Sequence, residues 1–228
     1  ICNVNNLTYI NHLVTSQVAF RKSQTLETDV YILYVWLRIC ELIAEKSNMA
    51  NEYSEEKLKV NINNIKKCMF LEINKAIEEL KRIFAECGIT FQVVKNFKGA
   101  PVQGFIKKID NRIILSMTIR RSFADEFWFT LFHEIGHLLN GDIVSTQFID
   151  YADLKSDMED KADRFASNTL INEEDYNKFI EQGNLTEEEI IKFARNQNVQ
   201  PFIVVGRIQR EKNDFRFCYK LKTRYKWG

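Results

Sequence analysis

Apolar side chains recur along this chain with two periods, and the changes of period divide it into elements. Residues 27–46 carry Val30, Leu33, Tyr34, Leu37, Ile39 and Ile43, which lie almost all round a helix and so predict one covered on more than one side. Residues 47–64, "SNMANEYSEEKLKVNINN", are polar and rich in Asn, and a domain boundary is expected there. From Leu71 to Cys87 the residues Ile73, Ala76, Ile77, Leu80, Ile83, Phe84 and Cys87 follow helical spacing, with Gly88 placed to end the helix. The period then changes to two. "ITFQVVK" predicts a strand, and "FIKKI" and "RIILSMT", joined at Asp110 and Asn111, predict a hairpin. Helices are expected over residues 122–139, 156–170, 173–180, 186–197 and 201–211, the last with Pro201 in its first turn. The chain closes on "FRFCYKLKTRYKW". Its alternation predicts a strand with Phe215, Phe217, Tyr219, Leu221, Tyr225 and Trp227 on one face, and Arg216, Lys220, Lys222, Arg224 and Lys226 on the other.

Composition narrows the class. Apolar residues make up 45% and charged residues 28% of 228 residues, which suits a folded domain and excludes a disordered tail. The net charge of +1 supplies no field for a charged partner, so the basic strand face, like Lys107, Lys108 and Arg112 on the hairpin, reads as solvated surface before it reads as a nucleic-acid contact. Cys2, Cys40, Cys68, Cys87 and Cys218 are scattered and form no C-x-x-C pair. That pattern fits buried thiols in a reducing cytoplasm better than a disulfide framework or a zinc ribbon. No signal-peptide pattern opens the given sequence and none is expected, and "VYILYVWLRIC", interrupted by Arg38, falls short of the roughly 18 apolar residues of a membrane span. A cytoplasmic protein with no membrane contact is expected. The chain opens on Ile1, and "ICNVNNLTYI" reads as the tail of an apolar pattern already under way, so a further N-terminal segment is expected before it.

The chemistry sits in "FTLFHEIGHLLNG", Phe129 to Gly141. On a helix, His133 and His137 lie on one face a turn apart and can aim imidazole nitrogens at a single ion. Glu134 beside them is the residue that takes a proton from a metal-bound water. Gly136, costly inside a helix by about 1 kcal/mol relative to Ala, suggests that another segment comes close there. A third ligand is needed. The metzincin pattern is absent, because Asn140 and Ile143 stand where it requires Gly and His. Thermolysin-like sites draw a Glu from a second helix downstream, and "SDMEDKADRFASNTL" offers Glu159 on one stripe with Ala162, Asp163 and Ala166. Asp163 could then accept the second ring N–H of a ligand histidine. Two alternatives stay open: Glu159 closing a capping box with Ser156, and His12 as third ligand.

These residues resemble the ImmA/IrrE metallopeptidases, whose hallmarks are an HExxH helix preceded by Phe-Thr, here "FTLFHEIGH", and a downstream E-x-x-A-[ND]-x-F-A, here "EDKADRFA". "GAPVQG", "FASNTLI", "VVGRIQ" and the earlier "AFRKSQ" and "VWLR" are similar to the subgroup fused behind an Xre-type helix-turn-helix, the HigA-like antitoxins. The resemblance implies an α+β, mainly helical, zincin-like fold with a small β-sheet. Residues 1–64 would be a helical segment following an absent helix-turn-helix domain, and residues 65–228 the metallopeptidase domain. It implies Zn2+ held by His133, His137 and Glu159, with Glu134 as general base and Asp163 behind the ligands. The expected activity is narrow cleavage of a protein substrate or partner, a helix-turn-helix repressor or a co-encoded protein, with DNA contacted only through the absent N-terminal domain. Two other functions stay in play. One is a metal-binding sensor module of a transcriptional regulator or antitoxin, and the other is a metal-dependent hydrolase of a different small substrate. The resemblance does not identify the oxyanion stabiliser: Arg120, Arg121 and Tyr151 are available donors near the motif helices, each read first as a surface or packing residue.

Overall fold

Gly88 turns the chain from helix into sheet, and the reason is steric. Its φ is +76°, and a β carbon there would stand 2.2 Å from the carbonyl oxygen of Glu52, so only glycine fits. The computed structural model describes residues 19–22, 29–47, 51–109, 112–120, 122–143 and 152–226. Their elements run β1 (Ala19–Lys22), α1 (Val30–Glu45), α2 (Glu55–Lys67), α3 (Ile73–Glu86), β2 (Ile89–Val93), β3 (Val102–Ile109), β4 (Arg112–Met117), α4 (Ala124–Leu139), α5 (Ala152–Leu170), α6 (Glu173–Glu181), α7 (Glu187–Asn196) and α8 (Pro201–Lys212). The fold is α+β and mainly helical.

The four strands form one sheet in the order β1-β3-β4-β2. Strand β3 pairs antiparallel with β4 from Gly104↔Met117 to Ile109↔Arg112, which is the expected hairpin, although its joining residues 110–111 lie outside the described residues. Strand β2 runs parallel to β4. On its outer edge β3 carries β1, antiparallel, with Arg21 opposite Gly104. Neighbouring residues of β3 serve opposite faces. Phe105 joins a smaller core with Leu33, Trp36, Leu37 and Cys40 of α1. Ile106 joins the larger core with Phe84, Leu115, Trp128, Phe132, Ala166 and Val204. Helix α1 therefore covers one face, and α3 and α4 the other.

The segment expected to be helical over residues 1–64 holds a helix in its polar stretch 47–64. Ser54 caps α2 by accepting from the Lys57 N–H at 3.2 Å, with Glu55 and Glu56 in the first turn and Lys66 and Lys67 in the last, charges that complement the helix dipole. Leu58 and Ile65 are buried in the larger core. A boundary at residue 64 would thus cut α2, and β1, which precedes it, belongs to the same sheet as β2–β4. The expected C-terminal strand is corrected. After α8 the chain passes Asn213 in the left-handed conformation and continues in turns with a short 3-10 helix at Tyr219–Leu221. Among the described residues its ladder is one isolated bridge, Phe123↔Arg224. The segment meets helices rather than a sheet edge, so alternation there has nothing to pair with. Phe215 and Tyr219 are 65% and 48% exposed.

The cysteines that are described behave as packing residues. Cys40, Cys68 and Cys87 are buried and unpaired, and burial pushes the Cys40 thiol up to about 12. Lys107 on the hairpin pairs with Glu41 of α1 at 2.6 Å, which gives this cation a structural role. Among the described residues no helix is long and apolar enough to cross a membrane.

Candidate metal centre

Helix α4 is apolar on nearly every side, and from Ala124 to Leu138 only Glu126 and Phe129 escape full burial. Its polar residues Thr130, His133, Glu134 and His137 are buried with the rest, so each needs a partner inside the protein. Helix α5 supplies partners because it approaches very closely. Ala162 and Ala166 are fully buried, and a β carbon on Gly136 would lie 3.0 Å from the Cα of Ala162. The absent side chain at Gly136 and the small ones at Ala162 and Ala166 let the two backbones meet.

That approach brings Glu159 of α5 to the two histidines. The Nε2 atoms of His133 and His137 are 3.0 Å apart, and the Glu159 carboxylate lies 3.4 Å from the first and 3.6 Å from the second. Donors on a tetrahedral zinc ion, each at about 2.0–2.1 Å from the metal, stand about 3.3 Å from one another, so the three edges have the size that a metal ion requires. The outer ring nitrogens point the same way. His133 Nδ1 lies 2.7 Å from Asp163 Oδ1, and His137 Nδ1 lies 2.8 Å from Asp142 Oδ2. A carboxylate accepts, so each Nδ1 carries the hydrogen and leaves Nε2 as the inward-facing atom whose lone pair can take a cation. Two lone pairs and a carboxylate oxygen then converge in one place, an arrangement that calls for a cation. Among the described residues His133, His137 and Glu159 form the group able to hold a metal ion.

Glu134 is fully buried and held under the sheet. A β carbon on Gly104 of β3 would lie 2.6 Å from Glu134 Oε1 and 2.7 Å from Thr130 Cγ2, so glycine at this strand position makes room for the glutamate. Of the alternatives left open, α5 begins at Ala152, four residues before Ser156, so Ser156 stands inside the helix and not at its cap. His12, Arg121 and Tyr151 lie outside the described residues. Arg120 lines a small recess beside Gln103, Glu126 and Thr130.

Asp142 is the site residue that sequence reasoning missed. Gly141, with φ +77°, ends α4 in the left-handed conformation. The reversed chain is pinned by the Asp142 N–H donating to the His137 carbonyl at 3.0 Å, which returns the carboxylate to the imidazole. The available signal was an acid directly after a helix-ending glycine, one turn beyond the second histidine.

The N-terminal half of α4 is braced by the chain's end. Trp128 Nε1–H donates to the Tyr225 hydroxyl at 2.7 Å, and Lys222 forms a buried ion pair with Asp125. Burial, with the Asp125 charge adding to it, pushes the Tyr225 phenol up to about 12.

Residues 113–209 match the model of the Peptidase_M78 family, the IrrE N-terminal-like domain. This stretch runs from β4 through most of α8 and includes the whole cluster of His133, His137 and Glu159, so the resemblance to the ImmA/IrrE metallopeptidases holds over the segment that carries the site. No curated protein matches the chain.

Proposed function

We propose that this protein is a zinc-dependent endopeptidase of narrow specificity whose substrate is a transcriptional regulator. The observation that carries the reading is the convergence of the buried His133 Nε2 and His137 Nε2 with the half-buried Glu159 carboxylate, with Glu134 alongside. Zinc held by these three residues would acidify a water and polarise the scissile carbonyl. The chain's own residues do the rest. Asp163 and Asp142 hold the imidazoles in one tautomer and one orientation. Glu134 accepts the water proton on its carboxylate and passes it to the leaving amine nitrogen, the general acid–base role. Gly104 lets that carboxylate sit directly beneath β3, where burial excludes bulk water from the proton's path. The substrate class is supported by the likeness to a subgroup fused behind a helix-turn-helix, which ties this type of domain to transcriptional regulators.

Glu134→Gln tests the reading, because it keeps the shape and leaves the three ligands in place. Metal content and melting temperature should be unchanged. Cleavage of a co-encoded helix-turn-helix repressor, followed by mass analysis of fragments with and without chelator, should fall about 10²- to 10⁴-fold. A variant that still cuts at the wild-type rate removes Glu134 from the role of base, and a wild type that cuts nothing while regulating normally replaces the peptidase with a metal-binding sensor.

A further inference from the structure

One turn of α4 before the metal centre the structure forms an open recess of about 630 Å³, walled by the N-terminal half of α4, by β3, by α8 and by the segment after it. Two lining residues adjoin the contact between Gly104 and Glu134. Thr130 lies one turn before His133 and against Gly104, and Gln103 is the neighbour of Gly104. Much of the remaining wall is aromatic: Phe123, Phe129, Phe215 and Tyr219. The charged groups that share it are already engaged. Lys222 pairs with Asp125 and lies over the Phe123 ring, Arg210 stacks on Phe129 at 4.4 Å, and Gln103 donates to Glu126 at 2.9 Å. The outer wall is fixed from behind, where the buried Gln209 amide donates to the carbonyls of Phe215 and Phe217. The exposure of Phe215 and Tyr219 is therefore presented by a held backbone.

We propose that this recess binds an aromatic side chain of the peptide, at a residue flanking the bond that is cut. The volume falls in the range of about 300–1,000 Å³ typical of ligand sites, and aromatic walls with paired charges favour an uncharged ring over an ion. The inference rests on the peptidase reading of the adjacent centre, and its test is a binding measurement that needs no catalysis.

The probes are phenylalanine hydroxamate and alanine hydroxamate, whose common group chelates the metal while the side chain samples the recess. Titrated calorimetrically into zinc-loaded Glu134→Gln protein, the phenylalanine probe should bind about 10- to 100-fold tighter, the worth of burying one aromatic side chain. In the same protein carrying Phe215→Ala and Tyr219→Ala, that preference should shrink to within a fewfold while the alanine probe binds as before. Zinc content and melting temperature report that the fold is intact. Equal affinities for the two probes, binding by neither, or a preference that survives both substitutions overturns the proposal. A preference that is lost as expected, in a protein that cleaves nothing, supports the recess and retires the peptidase instead. Cleavage without any preference does the reverse.

Discussion

The two halves of α4 are built to different standards of tolerance. Its C-terminal half is clamped by backbone and by charge: Gly136 lies against the Ala162 backbone, and Asp163 and Asp142 each fix one imidazole. Its N-terminal half is also approached by backbone, at Gly206 against Asp125 and Gly104 against Thr130, but it is further met by side chains of the C-terminal segment, through Trp128 with Tyr225 and Asp125 with Lys222. A clamp of backbone contacts has no rotamer through which to relax, whereas a side-chain wall can repack. Chemistry that requires fixed donors sits on the first half, and a surface that recognises a side chain suits the second.

The largest break in this contrast should come from Gly136→Leu. Added atoms there meet the main chain of α5, so overpacking should cost about 3 kcal/mol and separate Glu159 from the histidines. Thermal melting and bound zinc should fall together, and a variant that kept its zinc would show that the α4–α5 contact is not what assembles the centre. Next in size are Asp163→Asn and Asp142→Asn. Each should weaken zinc about 10- to 100-fold with little change in fold, read by competition with a chromophoric chelator. An effect at Asp163 alone would mean that Asp142 only ends the helix.

On the other half the effects should be smaller. Tyr225→Phe leaves the buried Trp128 N–H without its acceptor and should cost about 1 kcal/mol in denaturant unfolding, with zinc affinity unchanged. Phe215→Ser should move stability by no more than about 0.5 kcal/mol, as exposed positions do. A loss well above that would show that the C-terminal segment has a packed face and would restore the strand that its alternation suggests.

Much of the fold was legible because its signals are local. Helix α3 has its four buried residues Ala76, Leu80, Ile83 and Phe84 at helical spacing, with Gly88 at its end. The β3–β4 hairpin follows from alternation. Helix α2 was expected only as part of a helical segment over residues 1–64, and Ser54, the acidic first turn and the basic last turn mark its bounds. Composition measures solubility, while caps and periodicity mark the helix itself.

His133, Glu134 and His137 required only the sequence, since a helix of fixed pitch places residues four apart on one face whatever surrounds it. Gly136, Ala162 and Ala166 likewise announced a close approach. What approaches was decided by tertiary structure alone. The meeting of Glu159 with both imidazoles depends on how α5 docks, and the return of Asp142 depends on the direction in which Gly141 turns the chain. The end of the chain shows the limit most clearly. Alternation states which side chains share a face, but a strand exists only where another strand offers its N–H and C=O groups, and residues 214–226 find helices there instead.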